Sequence, residues 1–349
     1  MTASRFFNLP SDLLSSLVTD WLKPDEVINL DFAVCNKIHR SQWLKHLQNE
    51  CVFQTVSLGN RRSMDYTRWY VARHIRARNV LLQDSQLLDD KSVFKWWRKT
   101  SKNIVNLELF ISDASKVAAL LPICTNLKSL GLKCCSIDAL FWDAVCSHAY
   151  LQQLTLDYCQ FDCSNSPAMS NITRLVIKVP TEGFRDVSFS LKQFPGLQRL
   201  TLCVFRFPIN YSLPLDLCPQ LVELDFSRAY HQEVDNVQFQ NLMRSVKIGL
   251  RCLVLPERQF FTSNELESIV ENHSHSLVSL RFADRAESTT YTAADVTNLV
   301  NGLPQLRTLI VSDIILSYLR AQLPLIKSSQ ITYMRVDFDT NTCTKLLLK

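Results

Sequence analysis

Hydrophobic positions along this chain follow a short phrase, apolar-x-x-apolar-x-apolar, that returns twelve times at intervals of 21 to 29 residues. Copies start at Phe53, Ala77, Ile104, Leu127, Leu151, Ile172, Leu197, Leu221, Leu250, Leu277, Leu306 and Ile331, and the clearest read LKSLGL, LQQLTL, LQRLTL, LVELDF, LRCLVL, LVSLRF and LRTLIV. Within a copy the fourth and sixth positions, such as Leu130 and Leu132, alternate with outward residues, the period-two pattern of a short strand with one buried face. Between copies the apolar residues fall at helical spacing: Val117, Leu120 and Leu121; Leu140, Phe141, Ala144 and Val145; Leu242, Met243 and Val246; Leu266, Ile269 and Val270; Val296, Leu299 and Val300. Leu120, Met243, Val270 and Leu299 each stand seven residues ahead of the next phrase, so helix and strand keep a fixed phase.

A single copy of so permissive a phrase arises easily by chance. Eleven successive intervals in one narrow band do not, and several copies follow a shared stop signal, in LPICTNL, FPGL, CPQL and LPQL. In each, a proline is expected to end a helix shortly before the next strand. A unit of about 25 residues cannot bury its own apolar face, whereas stacked units share a continuous core. Period and phrase resemble those of leucine-rich repeats. The expected fold is therefore α/β, a leucine-rich-repeat horseshoe solenoid over 104–349 with parallel strands on the concave face and helices on the convex face. The copies at Phe53, Ala77 and Ile331 are the weakest, and the first two fall in a transitional, basic and aromatic-rich segment, 51–103.

Residues 1–50 obey a different rule. Three amphipathic segments follow one another: the first, with Ser11 or Asp12 at its start, carries Leu13, Leu14, Leu17, Val18, Trp21 and Leu22. Pro24 opens the second, a first-turn position that tolerates proline, with Val27, Ile28, Leu30, Ala33 and Val34; the third holds Ile38, Trp43, Leu44 and Leu47. The stretch LPSDLLSSLVTDWLKPDEVINLDFAVCNKIHR resembles an F-box, the all-α module that docks a Skp-family adaptor of cullin-RING ubiquitin ligases. Leu9, Pro10, Asp12, Leu13, Leu14, Leu17, Val18 and Trp21 follow the family's opening pattern, with Trp21 where leucine is usual. What the resemblance implies is a substrate-recognition adaptor of an SCF-type ligase, for ubiquitin-dependent degradation. Leu9, Pro10, Leu13, Leu14, Leu17, Val18 and Trp21 would dock the Skp-family adaptor and its cullin scaffold, and the repeats would hold a target protein. Read from the residues alone, the same stripe also serves as a cap sealing the first repeat, leaving a repeat scaffold with no ubiquitin connection as the alternative.

In a strand of this kind the residues flanking the buried positions point outward. They are Lys133, then Gln153 and Asp157, Arg174 and Lys178, Arg199, Glu223 and Asp225, Arg281, then Arg335 and Asp337. Mixed charge there suits a protein partner better than a small molecule; a plain solvated face has the same composition.

Charge changes the picture at one place. Of a net +5, residues 61–102 supply about +7, with eleven Lys or Arg against four Asp. Trp69, Tyr70, Trp96 and Trp97 lie among them. Basic residues with interleaved aromatics suit nucleic acid or an acidic or phosphorylated protein motif; a solvated basic surface whose tryptophans pack between the helices and the first repeats accounts for them more simply.

Twelve cysteines raise the question of disulfides or metal, and their spacing argues against both. Cys135 and Cys159 each fall three residues after the third apolar position of a phrase, the slot where a leucine-rich repeat turns asparagine or cysteine toward the loop backbone. No CxxC pair or ordered histidine set completes a tetrahedral site. Six glycines leave little for a phosphate-binding loop, and His273 and His275 have no zinc-protease context. The expectation is no catalytic residue, no metal and no cofactor. No run approaches a membrane-spanning length and the N-terminus makes a poor signal peptide, so a cytoplasmic or nuclear protein without obligate self-association is expected.

Overall fold

The computed structural model describes residues 9–34, 37–49, 51–59, 64–110, 115–161, 168–179, 191–204, 218–226, 244, 246, 249–255, 263–282, 293–311, 333–336 and 344–346. Contacts divide the chain into two units, Met1–Thr155 with Cys159–Asp162, and Leu156–Tyr158 with Cys163–Lys349.

The first unit opens with three helices. Helix α1, Ser11–Ser16, runs into a wider π turn, Leu17–Trp21, closed by the Leu22 N–H on the Leu17 carbonyl at 3.1 Å. Pro10, rather than Ser11 or Asp12, stands at its N-cap, and no side chain caps it. Helix α2, Pro24–Ala33, has its proline in the first turn as expected, and the Glu26 carboxylate accepts from the Lys23 N–H at 2.7 Å. Helix α3 is Lys37–Asn49.

Strands then alternate with helices: β1 Val52–Leu58, α4 Met64–Arg73, β2 Arg76–Leu82, α5 Lys91–Thr100, β3 Asn106–Phe110, α6 Ser115–Ala118, β4 Ser129–Lys133, β5 Ser136–Ile137, α7 Ala139–Cys146, β6 Gln153–Asp157 and β7 Gln160–Phe161. Strands β1 to β4 pair in parallel in chain order, and β5 with β7 forms a second, parallel pair. The weak phrases at Phe53 and Ala77 thus make full strands, with Phe53, Val56, Leu58, Ala77, Val80 and Leu82 all buried.

In the second unit, β8 Arg174–Val179, β9 Arg199–Val204, β10 Glu223–Asp225, β11 Cys252–Leu255, β12 Ser279–Phe282, β13 Thr308–Val311 and β14 Tyr333–Val336 are parallel neighbours. Helices α8, Ser263–His273, and α9, Ala293–Gly302, precede β12 and β13. Strand β15, Thr344–Leu346, departs from the pattern and pairs antiparallel with β14, Met334 opposite Leu346. Leu242, Met243 and Ile331 lie outside the described residues.

Two backbone devices hold copies in phase. Ahead of most phrases a tight turn closes on the first apolar residue: Leu127 N–H to Cys124 O, Leu197 to Phe194, Leu221 to Cys218 and Leu306 to Leu303, each at 3.0 Å. Pro195, Pro219 and Pro304 occupy the second residue of these turns, where a fixed φ suits proline; Pro122 instead sits within the 3-10 turn Leu121–Ile123. Then the N–H groups of phrase positions two and three both reach one carbonyl of the preceding copy. Lys128 and Ser129 donate to Val105 O; Gln198 and Arg199 to Thr173 O; Arg307 and Thr308 to Val278 O. Because side chains alternate with period two, a one-residue slip would turn every leucine outward; these paired bonds set the register that buries Leu127, Leu130 and Leu132 and, among the described residues, their counterparts in the other copies. Leu140, counted among the helical apolar residues, is exposed at the start of α7.

One buried carboxylate ties α2 to its surroundings. Asp31 has no exposed surface, and its oxygens accept from Arg40 Nη1 at 2.9 Å, Trp43 Nε1 at 3.0 Å, Trp69 Nε1 at 2.8 Å and Arg73 Nε at 3.0 Å. Arg40 and Trp43 belong to α3, Trp69 and Arg73 to α4, so the three-helix segment and the first repeat share one polar core.

Candidate interaction surfaces

On the outward face of the first unit's sheet, the third phrase positions form a polar row. Asn79 Nδ2 donates to Thr55 Oγ1 at 3.3 Å and Asn106 Nδ2 to Asn79 Oδ1 at 2.7 Å, with Ser129 next in register. The fifth positions add Ser57, Leu81, Glu108 and Gly131. Glu108 leans over Gly131, its Cγ 3.2 Å from where a Cβ would stand, so the missing side chain makes room for it. At the seventh position Lys133 Nζ lies 5.5 Å from the centre of the Phe110 ring, which is itself exposed. Gln153 is half-buried. Of this surface the sequence reading named only Lys133 and Gln153. Thr55, Asn79, Asn106, Glu108 and Phe110 were within reach by carrying the same phase back to the copies at Phe53, Ala77 and Ile104.

In the second unit the outward positions are occupied differently. Asp157 is buried and its Oδ2 accepts from Lys178 Nζ at 2.8 Å, so neither is a free contact group. Arg199 Nε stands 3.3 Å from Glu223 Oε2, while Arg174 is exposed and Asp225 and Arg281 are half-buried. Val176, Thr201, Cys203 and Val254 share the outward side and are buried. The open polar face expected along the whole sheet is therefore interrupted here. Arg335 falls in β14 with its side chain outside the described residues, as is Asp337.

The helical segment has an inner and an outer face. Leu14 and Val18 are buried, Leu9 and Leu17 half-buried, and Pro10 exposed. Among the described residues of this segment Leu13 at 57%, Trp21 at 78% and Phe32 at 66% of their full exposure are the exposed large apolar side chains. Phe32 was not singled out from sequence; it stands beside Asp31 in a helix whose buried positions are Val27, Ile28 and Asp31.

In the basic stretch the aromatics are structural. Trp69, Tyr70, Trp96 and Trp97 are buried, Trp69 on Asp31 and Trp96 Nε1 on Ile75 O at 2.7 Å; burial pushes the Tyr70 phenol up to about 12. Buried in this way, the four rings are not exposed for bases to stack on.

Cys135 and Cys159 occupy the loop slot as free thiols, with Sγ atoms 3.4 Å apart and Cys159 Sγ 3.4 Å from Leu132 O. Their mutual hydrogen bond and burial push the Cys135 thiol up. Among the described residues no group of three His, Cys, Asp or Glu side chains is placed to hold a metal ion. Nor is any described helix long and apolar enough to cross a membrane.

A turn, a parallel strand and a returning coil, repeated with leucines stacked inside, define the leucine-rich-repeat fold, and the chain has it. Solved structures similar to it include an internalin from Listeria monocytogenes, 14% identical over 86% of this chain and 89% of that one, with a TM-score of 0.40. Human 5T4, a trophoblast glycoprotein, is 20% identical over 57% of this chain and 76% of that one, with a TM-score of 0.37. The TLR13 chain from a complex with ssRNA13 is 15% identical over 77% of this chain, which spans only 41% of that chain's length, with a TM-score of 0.37. No family model and no curated protein sequence matches the chain.

Proposed function

We propose that the chain is a protein-recruiting adaptor of an SCF-type ubiquitin ligase. The N-terminal helices dock a Skp-family adaptor, and through it a cullin, while the first unit's outward sheet face holds a target protein. The observation that carries this reading is the exposed pair Leu13 and Trp21. A cap that only sealed the first repeat would turn its large apolar side chains inward, and α1, the π turn and α2 do so with Leu14, Val18, Val27 and Ile28 while Leu13 and Trp21 stay exposed. The F-box resemblance covers the same stretch and names Leu13 and Trp21 among its docking positions. Asp31 supports the reading by fixing these helices to the repeats, so that a docked ligase holds a bound target at high effective concentration. The chemistry is carried by other subunits.

Isothermal titration calorimetry with a purified Skp-family adaptor tests it. The full chain should bind, and Leu13→Ala with Trp21→Ala should weaken binding by at least about tenfold with an unchanged circular-dichroism spectrum. No heat of binding from the wild type would leave a repeat scaffold without a ubiquitin connection as the better reading.

A further inference from the structure

The outer face of α5 carries a line of cations that the adaptor reading does not use. Lys91, Lys95, Arg98 and Lys99 are exposed and fall within about 100° of one another round the helix and along about 12 Å of its axis. Lys102, also exposed, extends the line into the 3-10 turn Ser101–Asn103. The opposite side of the same helix buries Val93, Trp96, Trp97 and Thr100. No Asp or Glu occurs between Asp90 and Glu108, and the Asp90 carboxylate is engaged at the helix start by the N–H and hydroxyl of Ser92, both at 2.7 Å. Among the described residues none of the five cations makes an ion pair; the guanidinium of Arg98 lies 4.7 Å over the Phe94 ring. The positive field is felt nearby: burial, then Lys99 and Lys95, hold His74 below the usual imidazole value.

We propose that this face of α5 docks an acidic segment, rich in Asp and Glu, of a partner protein. Like charges held in one row without internal counter-charges repel one another, and a complementary row relieves that repulsion. Three classes of polyanion satisfy the charge; the rest of the surface chooses among them. A single-stranded nucleic acid needs rings on which bases stack, and Trp69, Tyr70, Trp96 and Trp97 are all buried while Arg98 covers Phe94. A membrane surface holds a basic helix firmly only where apolar side chains insert beside the cations, and on α5 Val93, Trp96 and Trp97 are buried while Arg98 lies over Phe94. An acidic protein segment needs only the cations.

Fluorescence anisotropy of the full chain with fluorescein-labelled decaglutamate tests the proposal. The wild type should bind, more weakly as salt rises. Lys95→Glu with Lys99→Glu should weaken binding by at least about tenfold, Lys95→Gln with Lys99→Gln by less, and Lys192→Glu in the second unit not at all, each with an unchanged thermal midpoint. The proposal is overturned if decaglutamate does not bind, if the α5 reversals leave binding intact, or if a ten-nucleotide single-stranded DNA or phosphatidylserine vesicles bind more tightly than the peptide.

Discussion

Asp31 shows how one residue joins two kinds of structure. A carboxylate with no access to water is tolerated only when its charge is met, and here two arginines and two indole N–H groups meet it. Replacing it by alanine leaves Arg40 and Arg73, each with about a quarter of its side chain exposed, and the two indole N–H groups without their shared acceptor. Asp31→Ala should therefore cost about 3–5 kcal/mol in urea denaturation, and Asp31→Asn less; a loss below about 1 kcal/mol would mean the cluster is not built as described. Nothing local in the sequence announces this hub, because its partners lie 9, 12, 38 and 42 residues away. A second residue-scale effect concerns pH. Burial lowers the pKa of His148 below 6.5, only partly offset by its hydrogen bond with Leu121, and His74 is lowered as well. With folded values below unfolded ones, the unfolded chain binds these protons more readily, so the histidines' contribution to stability is present above about 6.5 and is lost as pH falls through the folded values. Urea midpoints should drop between about pH 7.5 and 5.5, less steeply for His148→Gln; a midpoint insensitive to acid over that window would contradict the assignment.

At the scale of elements, strands were legible and their surroundings less so. The phrase located the parallel strands β1 to β4, β6 and β8 to β14 but not the short β5, β7 and β15, and even the weak copies at Phe53 and Ala77 are strands with buried apolar sides. What the phrase does not report is the far side of the sheet: Thr155 and Thr201 hold the same phrase position, one half-buried and the other buried. That difference depends on what lies over the sheet, not on the strand itself. Turns between coils impose their own demand. Gly196 follows Pro195 in the turn ahead of β9, and a methyl there would be driven into the Ser170 carbonyl of the preceding turn. Since backbone cannot swing aside as a side chain can, Gly196→Ala should destabilise the chain by about 2–4 kcal/mol. An unchanged thermal midpoint would show that the two turns do not approach so closely.

For the whole molecule the central claim is a division of labour, with docking by the N-terminal helices and target recruitment by the outward face of the first repeats. Neither face depends on the interior, so each can be altered without disturbing the leucine stack. The most direct measurement is affinity purification from cells with quantitative mass spectrometry on three forms of the full chain: wild type, Leu13→Ala with Trp21→Ala, and Glu108→Lys with Lys133→Glu. The account predicts that the first variant loses the Skp-family adaptor and cullin while keeping other partners, and that the second keeps the ligase subunits and loses a separate set. Loss of one identical set by both variants, or of none by either, would contradict it.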